Sequence, residues 1–321
     1  MLPFDIIGTK KGNYELAEVG EKFGPYTYTA DEFSVKLFSF AQDDYNRWSY
    51  SDDNPFGKRI VQAAFFNNDM LHIFFTHYDP TDIFALHTQE ELWYHSPAYV
   101  GENVTISGEY VDKYTKRGKN YIELKTKVTG EDGRVIAEHH GAEITKITGD
   151  QLASGEKKKV QPAEGERVTG EVDPAAVPAA HAALDLAKGT PTAVLVKKTT
   201  TYQTQAFSWG GMPFETIHSS ISLAKKAGYK GLLVQGQQMV SYITELLADF
   251  FGESFYSSGH IKVKIIKPTL AGETLSIQGQ LREIIKEDDG YRAYMHVWVK
   301  DSSGAMTVCG WADSLIASGE L

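Results

Sequence analysis

The residues best suited to proton chemistry lie in one stretch, Phe207–Met239, FSWGGMPFETIHSSISLAKKAGYKGLLVQGQQM. His218 stands just ahead of a predicted helix, with Glu215 in the same loop. The glycine-rich GYKG then leads into an apolar segment that opens with Val234-Gln235-Gly236. An imidazole titrates near neutrality, so it can take a proton from water or return one. Main-chain amides left free in a loop or at a helix start can steady negative charge on a carbonyl oxygen. Imidazole, loop and buried helix in this order suit a site acting on a polarised carbonyl. A single histidine near a helix start is equally what a capping or loop residue looks like.

Other chemistries find less support. His72, His77 and His87 fall in or near a first predicted helix, and His139 and His140 on a strand. None has a metal-ligand spacing with carboxylates, so no metal and no cofactor is expected. Ser208 and Ser219 lack the G-x-S-x-G setting of a hydrolase nucleophile. No phosphate-binding glycine motif sits between a strand and a helix.

Positioning these residues requires helices and strands in a recognisable order. Residues 1–28 read as a lead-in strand and loop, and Thr29 as the N-cap of a helix over ADEFSVKLFSFAQ with acids in its first turn. A polar, turn-rich loop follows, DDYNRWSYSDDNPFGKR. Val61–Tyr78, VQAAFFNNDMLHIFFTHY, is apolar almost all round, which predicts a central helix wrapped by a sheet. Tyr121–Val128 alternates, with Ile122, Leu124, Thr126 and Val128 on one face, as a half-buried antiparallel strand does. EDG at 131–133 reads as a turn into a further strand, RVIAEHHGAEITKI. Residues 148–190 are rich in Gly, Ala, Pro and charge, and read as a linker with at most one short helix; its lysine run 157–159 is a solvated patch.

The pattern then recurs. Pro97-Ala-Tyr-Val-Gly101-Glu102-Asn-Val104-Thr-Ile106-Ser-Gly108 matches Pro268-Thr-Leu-Ala-Gly272-Glu273-Thr-Leu275-Ser-Ile277-Gln-Gly279 at an offset of 171 (268 − 97), and Gly133 and Gly304 keep that offset. Val61-Gln62-Ala63 matches Val234-Gln235-Gly236 at 173 (234 − 61). A register held across three elements marks two copies of one unit, each a long helix followed by antiparallel strands. The units span 1–147 and 191–321, joined by the linker 148–190.

A helix followed by P-x-x-x-G-E-x-[VL]-x-I-x-G and two more strands resembles the hotdog fold. Two such units resemble the double-hotdog members of the MaoC-like hydratase/dehydratase family. The resemblance covers all but the lead-in and linker, and implies an α+β class, a tandem hotdog in which each unit wraps an antiparallel sheet round a long central helix. It implies a hydro-lyase adding or removing water across a double bond conjugated to a carbonyl, with an acyl-CoA thioester as substrate. Against the family loop D-x-N-P-[IL]-H, His218 takes the histidine position and Gly236 that of the glycine whose amide faces the thioester oxygen. Pro213 and Glu215 stand where the family has aspartate and asparagine, and Gln235 replaces a second histidine. In the first unit the same alignment puts Asp44 and Asn46 on the acid and amide positions and Ser49 on the histidine. The resemblance thus nominates His218, Glu215 and Asp44 for acid/base work, and Asn46, Gln235 and Gly236 for binding substrate. Two other readings stay open: a non-catalytic thioester or small-ligand binder with a degenerate dyad, or another enolate-type lyase or a thioesterase drawing on Asp69 or Glu245.

The bulk properties limit the partners. A net charge of −10 over 321 residues argues against a general nucleic-acid binder. The single cysteine, Cys309, cannot close an internal disulfide, which suits a reducing compartment. The first eighteen residues lack the basic-then-apolar pattern of a leader, and no apolar run is long enough to span a membrane, so a cytoplasmic location is expected. A homodimer of double units is compatible with the sequence.

Overall fold

The computed structural model describes residues 7–81, 85–145, 167–208 and 215–317. Pro213, the lysine run 157–159 and the first half of the linker lie outside these residues. Among the described residues ten strands form one antiparallel sheet in the order β1-β3-β4-β5-β2-β7-β10-β9-β8-β6. The first half supplies β1 (Lys22–Thr29), β2 (Ala85–Tyr94), β3 (Asn103–Lys116), β4 (Lys119–Thr129) and β5 (Val135–Thr145). The second supplies β6 (Leu195–Lys198), β7 (His260–Ile265), β8 (Thr274–Glu287), β9 (Gly290–Lys300) and β10 (Met306–Leu315). The order of the second five mirrors that of the first, and the two sets join where β2 pairs with β7 from Gln89↔Lys264 to Trp93↔His260.

The repeat persists in backbone detail. β3 and β8 begin 171 residues apart (274 − 103), and their register shifts, after Tyr110 and after Leu281, keep that offset. Gly101 (φ 90°) and Gly272 (φ 95°) take the left-handed turn before each of these strands, a conformation that a Cβ disfavours. Isolated bridges Ile60↔Tyr99 and Leu233↔Leu270 repeat the entry to each central helix. On β4, Ile122, Leu124, Thr126 and Val128 are all buried, as the alternation predicts.

Among the described residues six α-helices pack against or beside the sheet: α1 (Glu32–Gln42), α2 (Asn67–His72), α3 (Thr201–Phe207), α4 (Ile221–Lys226), α5 (Gly236–Phe251) and α6 (Phe255–Ser258). α1 is capped by Asp31, whose carboxylate accepts Ser34 N–H at 2.7 Å, and not by Thr29. Thr29 is still strand, paired with Asn103. The two central helices differ. α5 runs sixteen residues and is buried on nearly every side. The predicted helix over Val61–Tyr78 is instead α2, six residues long, continued by a 3-10 turn at Ile73–Thr76. Asn67, Asn68 and Asp69 open α2, and the β-branched or aromatic Ile73, Phe74, Phe75 and Thr76 follow it; both sets are poorer helix formers than the Leu, Glu and Ala of α5. Asn67 spends its side chain between helices, with its Nδ2 3.4 Å from both Ser241 Oγ and Thr244 Oγ1 of α5.

Residues 167–190 contain no helix, and they hug the second unit. Ala182 N–H donates to Phe250 O at 2.8 Å and Gly189 N–H to Leu281 O at 2.8 Å. No helix among the described residues is long and apolar enough to cross a membrane.

Candidate active site

The loop after α3 delivers His218 to the start of α5. Its Nδ1–H donates to the carbonyl of Leu233 at 2.8 Å, since a carbonyl can only accept. That bond fixes the tautomer and leaves Nε2 as a lone-pair acceptor. Burial lowers the His218 pKa to about 4, only partly offset by this bond, so the ring is neutral near pH 7. The same segment continues to Gln235, the N-cap residue, and Gly236, the first residue of α5. Gln235 is buried, makes no capping bond, and leaves its Oε1 unpartnered. Among the described residues nothing accepts a hydrogen bond from the amide of Gly236, as expected for the first turn of a helix. A base and a free amide thus flank one short stretch, Leu233–Gly236.

The other nominated residues lie elsewhere. Glu215 is exposed and makes no bond among the described residues. Asp44 is buried beyond α1, where Asp43 turns the chain in the left-handed conformation (φ 54°). Asp44 Oδ1 accepts Asn46 N–H at 3.0 Å, and Asn46 Oδ1 caps a 3-10 turn by accepting Trp48 N–H at 2.9 Å. Both side chains are thus engaged in shaping their own loop. Burial pushes the Asp44 carboxyl up to about 6, with Lys197 pulling the other way and Asp249 adding to the rise. Lys197 donates to Glu245 Oε1 at 2.6 Å and to Asp43 O at 2.7 Å. The first unit's loop therefore faces an acid-rich cluster on α5, and none of the bonds or charges found acting on His218 involves Asp44. The thioesterase candidates are also occupied: Glu245 by Lys197, and Asp69 by the Tyr28 hydroxyl at 2.6 Å.

A second polar group, for which the sequence carries no motif, stands at the α5 start. His87, expected in or near the first helix, lies on β2. A register shift between His87 and Gln89 interrupts the pairing of β2 with β5. In a regular strand, residues three apart face opposite sides; the bulge turns His87 and Glu90 to the same side. His87 Nε2 then lies 2.7 Å from Glu90 Oε2, and His139 Nε2 lies 3.0 Å from the same oxygen. Gln237 Nε2 of α5 donates to Glu90 Oε1 at 2.9 Å. Burial works against ionisation of Glu90, but the charges and hydrogen bonds of His139 and His87 outweigh it and hold the carboxyl well below its ordinary range. Gly141 makes room for this: a Cβ there would meet His139 Nε2 at 2.5 Å. His72 sits near both halves of the site, with His218 and His87 each acting on it electrostatically and burial pushing it down to about 3. The available signal was ALHTQEELWY itself, whose strand character is hidden because polar residues occupy its inner face.

Among solved structures, the chain is similar to a MaoC-like dehydratase over 95% of its own length and 100% of that chain, with a TM-score of 0.71 and 17% identity. It is similar to a MaoC-like dehydratase from Phytophthora capsici over 94% and 96% of the two chains, with a TM-score of 0.60 and 16% identity. A conserved hypothetical protein of Mycobacterium tuberculosis, described as having a double hotdog fold, matches over 95% and 98% at a TM-score of 0.64 and 12% identity. The chain has the double hotdog fold. No family model and no curated protein matches its sequence. In this double hotdog the His218 loop and the start of α5 belong to the second unit, and the His87–Glu90–His139 group reaches them from the first.

Proposed function

We propose that this double hotdog adds water to, or removes it from, a carbon–carbon double bond conjugated to the carbonyl of an acyl thioester. The observation that carries the reading is the fixed tautomer of His218: with Nδ1–H committed to Leu233 O at 2.8 Å, Nε2 is the group able to accept a proton. In hydration, Nε2 takes one proton from water while the water oxygen bonds to the β-carbon. The π electrons move toward the thioester oxygen, where the amide of Gly236 and the positive end of α5 stabilise the negative charge. A proton delivered to the α-carbon completes the addition; dehydration is the reverse. The substrate is a small molecule, and the reaction calls for no metal or cofactor.

The test is hydration of crotonyl-CoA, a short trans-2-enoyl thioester, followed by loss of its ultraviolet absorbance. His218→Ala is expected to lower kcat/KM by about 10²–10⁴-fold, the usual contribution of a positioned acid or base. Full activity in that variant overturns the mechanism.

A further inference from the structure

We propose that His87, held by Glu90, is the acid partner of His218: its Nδ1 lies at the start of α5 and supplies the proton that the hydration reaction returns to carbon. The inference rests on the reaction proposed above and names the group that replaces the missing loop aspartate.

Glu90 is fully buried and accepts from three donors, His87 Nε2, His139 Nε2 and Gln237 Nε2. His139 has a partner at each ring nitrogen, with Thr126 Oγ1 3.0 Å from its Nδ1 and Glu90 Oε2 3.0 Å from its Nε2. His87 is not complete. Its side chain is only 7% exposed, yet Nδ1 is buried without a hydrogen-bond partner. Nδ1 lies 3.2 Å from the point where a Cβ on Gly236 would project. An unpartnered buried nitrogen is costly, and here it adjoins a helix start whose amides also lack acceptors.

Charge accounting points the same way. A buried carboxylate needs a positive partner, and the buried His87 ring, 2.7 Å from Glu90 Oε2, is placed to supply it as an imidazolium. Burial lowers the affinity of His87 for its proton, but the charge and hydrogen bond of Glu90 outweigh it, so the net shift is upward. Glu143, which pairs with His87 across β2 and β5, adds to this rise, while His72 faces the ring from α2 as a neutral group. An N–H at Nδ1 and the amide of Gly236 then present two donors to one place, the demand that an enolate oxygen would meet. Two imidazoles pushed in opposite directions, His218 down and His87 up, form the usual arrangement of a base and an acid. Water gives a proton to His218 Nε2 and its hydroxyl to the β-carbon, and the His87 Nδ1 proton passes to the α-carbon. Proton exchange through solvent then returns His218 to neutral and His87 to charged.

The experiment uses the full-length chain, crotonyl-CoA as probe and two variants. In His87→Gln, the glutamine Nε2 can still donate to Glu90 while nothing remains at the Nδ1 position. It is expected to fold, to lose at least 100-fold in kcat with little change in KM, and to lose the alkaline limb of the pH–rate profile. Glu90→Gln tests Glu90 as a positioning residue: with its charge gone, the alkaline limb should move to lower pH by one unit or more. Because either variant could fail to fold, ¹⁵N spectra of the wild-type histidines provide a further check, with the His87 Nδ1 resonance expected to shift on adding crotonyl-CoA. Wild-type turnover with undiminished His87→Gln activity, or a probe-bound spectrum in which His218 moves and His87 does not, overturns the inference alone. A wild-type chain that neither turns over nor binds the probe overturns the reaction and the inference together.

Discussion

Asp44 carries a cost that the fold meets with Lys197. The residue is 8% exposed, and burial pushes its carboxyl up to about 6, against an ordinary value of 3.8. Between those two values the folded chain binds more protons at this group than the unfolded chain does. Stability therefore falls as pH rises from 3.8 to 6, and the full cost persists above that. At about 1.4 kcal/mol per pKa unit the cost is on the order of 2–3 kcal/mol. Asp44→Asn keeps an acceptor for Asn46 N–H and removes the charge. It is expected to raise the unfolding free energy at pH 8 by about 1–3 kcal/mol, with the advantage disappearing by pH 4. His218 and His72 slope the other way, since burial lowers their pKa values and acid destabilises a chain that keeps them neutral. Comparing the variant with wild type in urea at both pH values cancels that common slope. An equal offset at pH 4 and pH 8 would mean that the carboxyl is not paying for burial.

At the level of the element, the start of α5 is where sequence and packing compete. Alanine favours a helix over glycine by up to about 1 kcal/mol in a helix interior, and less at the first position. Gly236→Ala, however, would put a methyl 3.2 Å from His87 Nδ1 and 3.2 Å from Ile265 Cδ1. Both neighbours would have to shift by a few tenths of an ångström, moving the His87 ring off its place beside the α5 start, so the expected result is a chain whose melting temperature stays within a few degrees of wild type and whose crotonyl-CoA hydration falls at least 10-fold. Wild-type activity in this variant would mean that the space beside Gly236 serves packing alone. The same junction shows which parts of the fold were legible. Strands with a polar outer and apolar inner face, such as β4, announce themselves by alternation, and α5 by the apolar segment that opens with Val234-Gln235-Gly236. β2 does not, because a bulge and a buried His–Glu pair replace the alternation that a reader relies on. The predicted first helix failed for a related reason. VQAAFFNNDMLHIFFTHY is apolar enough to be central, but Asn67 and Gln62 spend their side chains on tertiary bonds, to α5 and to Ser39 Oγ at 2.6 Å. Buried amide and imidazole bonds between elements leave no period in the sequence, so the contact of His87 with the α5 start could be read only from the fold.

For the whole molecule, the duplicated frame was legible and its division of labour was not. The offset of 171 survives because glycines at positive φ and strand-facing apolar residues are backbone requirements that both copies must meet. The polar groups obey no such requirement, and the copies have diverged: an acid cluster around Lys197 lies beside the first loop, and the imidazoles lie beside the second. The second arrangement needs both halves, since His218 and Gly236 come from one and His87 and Glu90 from the other. The halves are also joined by bonds that neither can replace. β2 and β7 pair edge to edge, His260 bridges Glu91 and Asp313 at 3.1 and 2.8 Å, and Trp93 stacks on His260 with ring centres 5.3 Å apart. Inside, Tyr94 OH lies 3.1 Å from Thr244 Oγ1 and Gln238 donates to Ala41 O at 3.0 Å. Separating the halves would expose a central strand edge on each and strip the partners from these buried groups. Residues 1–147 and 167–321 expressed alone are therefore expected to aggregate or to melt without a cooperative transition. Expressed together they should elute as one complex with a single transition and recover crotonyl-CoA hydration. Either half behaving alone as a cooperatively folded monomer would show that the β2–β7 seam is a docking surface between independent domains and not the middle of one sheet.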